Sequence, residues 1–164
     1  MKRPEITSEL VTAVAIEFCK KHNYQENEAA DIVSVFGSNH HLDGYQLARA
    51  LDEDRGWAIS VHDVETLDGF SEAVCQAHKQ VCIAWARDNN IQPPLPVGAM
   101  TTVGEITGIY SSDAACYLIR AHGETNPSRR SIVKFEDVRA APGQVVLPQE
   151  PALAYLPERP PSGG

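Results

Sequence analysis

The chain has 164 residues, 43% of them hydrophobic and 22% charged, with a formal net charge of −8. That length suits one medium domain or two small ones, and no apolar run reaches the ~20 residues that span a bilayer. The charge argues against direct DNA binding, which calls for a basic face: residues 1–92 hold 15 acidic against 8 basic residues, and residues 93–164 hold 7 against 6.

The opening MKRPEITSEL has two basic residues but lacks the apolar core of a signal peptide, so the expected location is cytoplasmic, with no membrane contact. A first helix is expected from Thr7 or Ser8, either of which can cap it, to Lys21. Leu10, Val11, Val14, Ala15 and Phe18 recur at three and four, and Lys20, Lys21 and His22 suit its C-terminal end. A second helix spans Glu26 to Phe36, with acids in its first turns and Gly37 to close it.

The stretch NHHLDGYQLARALDEDRGW, Asn39 to Trp57, is the densest in chemistry. Its helix is expected from Asp43 to near Gly56, buried through Leu47, Ala48 and Leu51 with Tyr45. Asp52, Glu53 and Asp54 then fall at the end where the helix dipole disfavours acid. Ser60 and Asp63 have the spacing of a capping box for a short fourth helix. A fifth and longest helix is expected from Asp68 to Asp88, striped by Phe70, Val74, Ala77, Val81 and Trp85. LDGY at Leu42 and LDGF at Leu67 repeat four residue types in order. Both are read as capping chemistry, with Asp43 and Asp68 as N-caps and each leucine at the staple position.

NNIQPPLPVG marks a linker, placed at residues 91–96 between a helical domain (1–90) and a smaller unit (97–141). There the periodicity shifts to short strands in TTVGEITGIYSS, ACYLIRAHG and RRSIVKFEDVRAA. GETNPSR is a hairpin loop, and FEDVRA a strand running through a tight turn into a last short strand. Residues 142–164 are rich in proline. Their apolar VVLP and ALAYLP suit an extended strap on the body or on a second subunit, the latter giving a homo-oligomer.

GEITGI, ACYLIR and SIVKFEDVRAA resemble the strands of small SH3-like barrels of the KOW and Tudor type. The resemblance implies a small SH3-like β-barrel; with the helices and the tail read above, the expected fold is α+β, a helical domain of about five helices followed by that barrel and a proline-rich tail. It also implies one function, a reader of peptide or RNA through the basic Arg129 and Arg130 or through Tyr110, Tyr117 and Phe135, three aromatics that equally suit a core. Small, acidic and two-part, the whole chain is similar in style to accessory proteins of phages and mobile elements, anti-CRISPR proteins among them. That likeness implies a non-enzymatic inhibitor that covers a basic groove of a nucleic-acid-binding host complex.

Little in the sequence points to catalytic chemistry. His40 and His41 with Asp43 are candidates for a small hydrolase or transferase, but no metal-binding or nucleophile motif surrounds them. No phosphate-binding glycine motif is present, and Cys19, Cys75, Cys82 and Cys116 form no CxxC pair, so no cofactor and no metal is expected. The helices at 26–36 and 43–55 are spaced like a helix-turn-helix. The second, however, presents Gln46 and Arg49 followed by three acids that would repel phosphate. The residues expected to meet a basic partner are Asp52, Glu53, Asp54, Asp63 and Glu65, with Tyr45 and Trp57 as aromatic anchors.

Overall fold

A computed structural model describes residues 2–37 and 42–143. The chain divides into two compact units, Met1–Val81 and Cys82–Gly164. The described residues are α+β, with four α-helices and one three-stranded antiparallel sheet. None of the helices among them is long and apolar enough to cross a membrane.

In the first unit, α1 (Ser8–His22) starts where the Thr7 hydroxyl accepts the Leu10 N–H, and it ends at Asn23 in the left-handed region. Its C-terminal Lys20, Lys21 and His22 complement the dipole. Helix α2 (Glu26–Phe36) opens on a capping box in which the Gln25 N–H donates to Glu28. Helix α3 (Gly44–Arg55) opens on a second one. Asp43 accepts the Gln46 N–H at 2.8 Å, and Gln46 returns the bond to the Asp43 N–H. At its other end Gly56 takes φ 71°, a conformation that costs glycine nothing, and its N–H satisfies the Asp52 carbonyl.

Helix α4 (Val61–Asp88) corrects the expectation of five helices. The Ser60–Asp63 box is formed, with Ser60 N–H donating to Asp63 at 2.9 Å and Asp63 N–H donating back to the Ser60 hydroxyl. The helix it begins does not stop before Asp68; it runs straight through. Asp68 is therefore no cap of its own helix. Its carboxylate crosses to α3 and accepts the Gly44 N–H at 3.0 Å, one of the donors a helix start leaves without an intrahelical partner. A Cβ on Gly44 would lie 2.5 Å from the Asp68 Cα, whereas one on Gly69 would meet nothing within 4 Å. The repeated tripeptide thus does two different jobs.

Apolar stripes of the four helices meet in one core. Phe70 is its hub, edge-on to Phe18 at 5.2 Å and to Phe36 at 4.9 Å between ring centroids. Ile32, Leu47, Leu51 and Leu67 fill the space around it.

The second unit is built on β1 (Gly104–Ile109), β2 (Cys116–Ala121) and β3 (Ser131–Lys134), in the order β1-β2-β3. Ile106 pairs with Ile119, and Tyr117 with Val133, on the face that carries the core. The sheet is open, which corrects the expectation of a closed barrel. A closed barrel needs continuous pairing round the circuit; among the described residues the pairing continues past β1 only as isolated bridges, Met100 to Glu105 and then Thr101 to Ala140. The strand expected over FEDVRA likewise gives way at its start to a 3-10 turn, Phe135–Asp137, which drops Phe135 into the core. The proline segment is seated on this core as well. Leu95 is 8% exposed, and its backbone N–H and carbonyl both bond the Tyr117 hydroxyl at 2.8 Å. The tail expected from residue 142 onward lies outside the described residues after Gly143.

Candidate binding cleft

The first unit holds a polar cleft of about 420 Å³, built where the end of α3, the start of α4 and the N-terminal part of α2 converge. Its walls are Tyr24, Glu28, Asp31, Trp57 and Asp63, with Arg55 also on the lining. Local chain chemistry explains why these side chains face one space. The left-handed Gly56 turns the chain sharply out of α3, so Trp57 folds back beside α2. The Ser60 cap then starts α4 with Asp63 in its first turn.

Each acid on the wall is already engaged. The Trp57 indole N–H donates to Asp31 at 3.1 Å, and the Tyr24 hydroxyl donates to Asp63 at 3.0 Å. The two rings sit 5.6 Å apart between centroids. Asp63 also accepts from the Ser60 hydroxyl at 2.6 Å. These bonds, the Ser60 hydroxyl first, then the Ser60 N–H, with Tyr24 adding, hold its carboxyl below the ordinary range. Burial, followed by the hydrogen bond to Asp63, pushes the Tyr24 phenol well above its usual value. The wall therefore stays a neutral phenol beside a carboxylate across the physiological range. Arg55 is tied to the Ser34 hydroxyl.

No protein-family model, curated protein or solved structure matches this chain.

The residues singled out in the sequence divide between this cleft and open surface. Trp57 and Asp63 line the cleft. Asp52, Glu53 and Asp54 are exposed along the last turn of α3, where 100° steps fan them round the helix instead of stacking them on one side. Glu53 pairs with Arg49 at 2.7 Å. Tyr45 is 64% exposed, which corrects the expectation that it joins the buried side of α3, and Glu65 is exposed on α4. His40 and His41 lie outside the described residues, and Asp43 is occupied as the α3 cap. Sequence reasoning missed Tyr24, Glu28 and Asp31. The i, i+3 spacing of Glu28 and Asp31 places both on one side of α2, and that was the available signal; their meeting with Trp57 depends on the turn at Gly56.

Cys19, Cys82 and Cys116 are buried and Cys75 is exposed. Burial, with the Glu28 charge adding, pushes the Cys19 thiol up to about 11. Among the described residues no group of three or more His, Cys, Asp or Glu side chains is placed to hold a metal ion.

Asp63 gives the unit a specific acid sensitivity. Its carboxyl is depressed in the folded state, so the stability it contributes is present above the ordinary carboxylate value, ~3.9, and is lost as pH falls through the lower folded value. Asp63→Asn is expected to be less stable than the parent at pH 7, with the gap narrowing progressively as pH falls below the ordinary carboxylate value. Urea midpoints measured across that range check this, and parallel curves would refute it.

Proposed function

We propose that this chain is a non-enzymatic protein-binding module whose helical unit receives a basic segment of a partner. On the likeness in style to phage accessory proteins, that partner is a complex whose basic surface binds nucleic acid, and the module acts by covering it. The observation that supports this reading best is the cleft. Two aromatic rings, Tyr24 and Trp57, stand beside the carboxylates of Glu28, Asp31 and Asp63 in a space of about 420 Å³. An arginine or lysine head entering there meets negative charge and aromatic faces together, a combination worth ~1–2 kcal/mol per cation–π contact once water is excluded. The exposed Asp52, Glu53, Asp54 and Glu65 then act over a longer range, raising the rate of encounter with a positive surface. Tyr45 supplies an exposed apolar contact.

The test is a titration of the full chain with an arginine-rich peptide, followed through the Trp57 indole N–H resonance. Binding is expected to shift that resonance and to weaken with salt, while a glutamate-rich peptide leaves it in place. Asp52→Asn combined with Glu53→Gln and Asp54→Asn is expected to slow association several-fold with little change in dissociation. An arginine-rich peptide that leaves the Trp57 resonance unmoved sinks the reading.

A further inference from the structure

The two edges of the small sheet are treated differently. Along β1 the outer edge is covered: the Gly98 N–H donates to the Ile106 carbonyl at 2.7 Å and the Ile106 N–H donates to the Ala99 carbonyl at 2.9 Å. β3 is the other edge. The Phe135 N–H donates inward to the Ala115 carbonyl at 2.9 Å. By the alternation of an antiparallel ladder, Val133 and Ser131 also turn their backbone groups toward β2, while Ile132 and Lys134 turn theirs away from the sheet. Among the described residues no hydrogen bond reaches those outward groups.

The side chains beside this open edge have a definite character. Gly108, Leu118 and Ile132 stand in register across the three strands on the face opposite the core, and Ile132 is 50% exposed. Alternation puts Lys134 on the same face as Ile132, and Arg130, the residue just before β3, continues the same two-residue period on the other side of Ile132. Both are exposed, and among the described residues neither is in an ion pair; Arg129 is held by Glu124 at 3.5 Å. Glu136 and Asp137 follow in the 3-10 turn, where the backbone has left the strand. An acidic chain thus carries a cation–apolar–cation row along the open edge of a strand.

We propose that the outer edge of β3 docks an extended acidic segment of a partner protein, added as a fourth strand. The outward N–H and C=O groups of Ile132 and Lys134 supply the ladder. Arg130, Ile132 and Lys134 select a segment with acid, apolar and acid residues at alternate positions. Charge complementarity also separates this occupant from a second copy of the chain. Antiparallel self-pairing centred on Ile132 sets Arg130 of one copy against Lys134 of the other, a like-charge juxtaposition that natural edges use to prevent self-association. The proposal concerns the second unit and stands apart from the cleft.

The experiment uses the full chain and a synthetic peptide in which glutamate and valine occupy alternate outward positions with threonine between them. The peptide is expected to bind and to slow hydrogen exchange at the Ile132 and Lys134 amides, with the lysine-for-glutamate version at least about tenfold weaker. Ile132→Pro removes an outward donor without touching the β2 ladder and is expected to abolish binding. Arg130→Glu with Lys134→Glu keeps every donor and is expected to reverse the preference to the lysine peptide, which preserves the test should the proline variant unfold. Equal binding of both peptides, a preference of the same edge for single-stranded RNA, or protection of these amides in a dimer formed without peptide would each overturn the proposal.

Discussion

Tyr117→Phe is expected to cost about 2–4 kcal/mol of unfolding free energy, from the loss of one oxygen atom. Tyr117 is fully buried, and its hydroxyl donates to the Leu95 carbonyl while accepting the Leu95 N–H. Phenylalanine keeps the ring and its contact with Phe135, 4.3 Å between centroids, so the change isolates the polar exchange. Both backbone groups of a residue only 8% exposed then lose their partner, and each such group costs roughly 1–3 kcal/mol. Urea denaturation followed by hydrogen exchange checks this: the Leu95 amide is expected to lose protection more than the β2 amides. A loss below ~0.5 kcal/mol would mean that the proline segment is held by its apolar contacts alone.

The second large effect is expected at Gly44→Ala. Replacing glycine near a helix start with alanine ordinarily gains up to ~1 kcal/mol in helix propensity. Here the added methyl falls 2.5 Å from both the Cα and the N of Asp68, backbone atoms that no side-chain rotation can move. Helix α3 must back away, which also stretches the Gly44 N–H bond to the Asp68 carboxylate. Overpacking of this kind costs ~1–3 kcal/mol, and with the capping bond lost the net destabilisation is expected to be about 2 kcal/mol. Gly69→Ala, at the matching place in the second LDG, meets open space and is expected to stabilise the chain. Thermal melts of the two variants should move in opposite directions; a shift of the same sign in both would contradict the contact.

These two glycines show where sequence legibility ends. Helices α1, α2 and α3 were readable because their signals are local: a capping side chain, a three-four apolar stripe and a terminal glycine or cation. The three strands were readable from their β-branched and aromatic runs. Asp43 and Asp68 carry the same local signal, yet the second lies inside a helix, because its hydrogen bond goes to a residue 24 positions away. Closure of the sheet is not legible for a related reason. It depends on whether the segment around Ala140 continues a ladder or merely touches it, and local composition does not encode that. Of the cleft, Trp57 and Asp63 were legible as an aromatic and an acid near a helix start. Their meeting with Tyr24 and Asp31 was not, because it is set by how α2 packs.

The prior engagement of the cleft's acids has a thermodynamic meaning. Asp31 and Asp63 are fixed by the indole, the phenol and the Ser60 cap. Their rotamer entropy was surrendered during folding, together with that of Trp57 and Tyr24. A ligand arriving there finds a rigid mould and does not have to immobilise its walls, a saving of ~0.5–1.5 kcal/mol for each side chain that would otherwise have to be frozen on association.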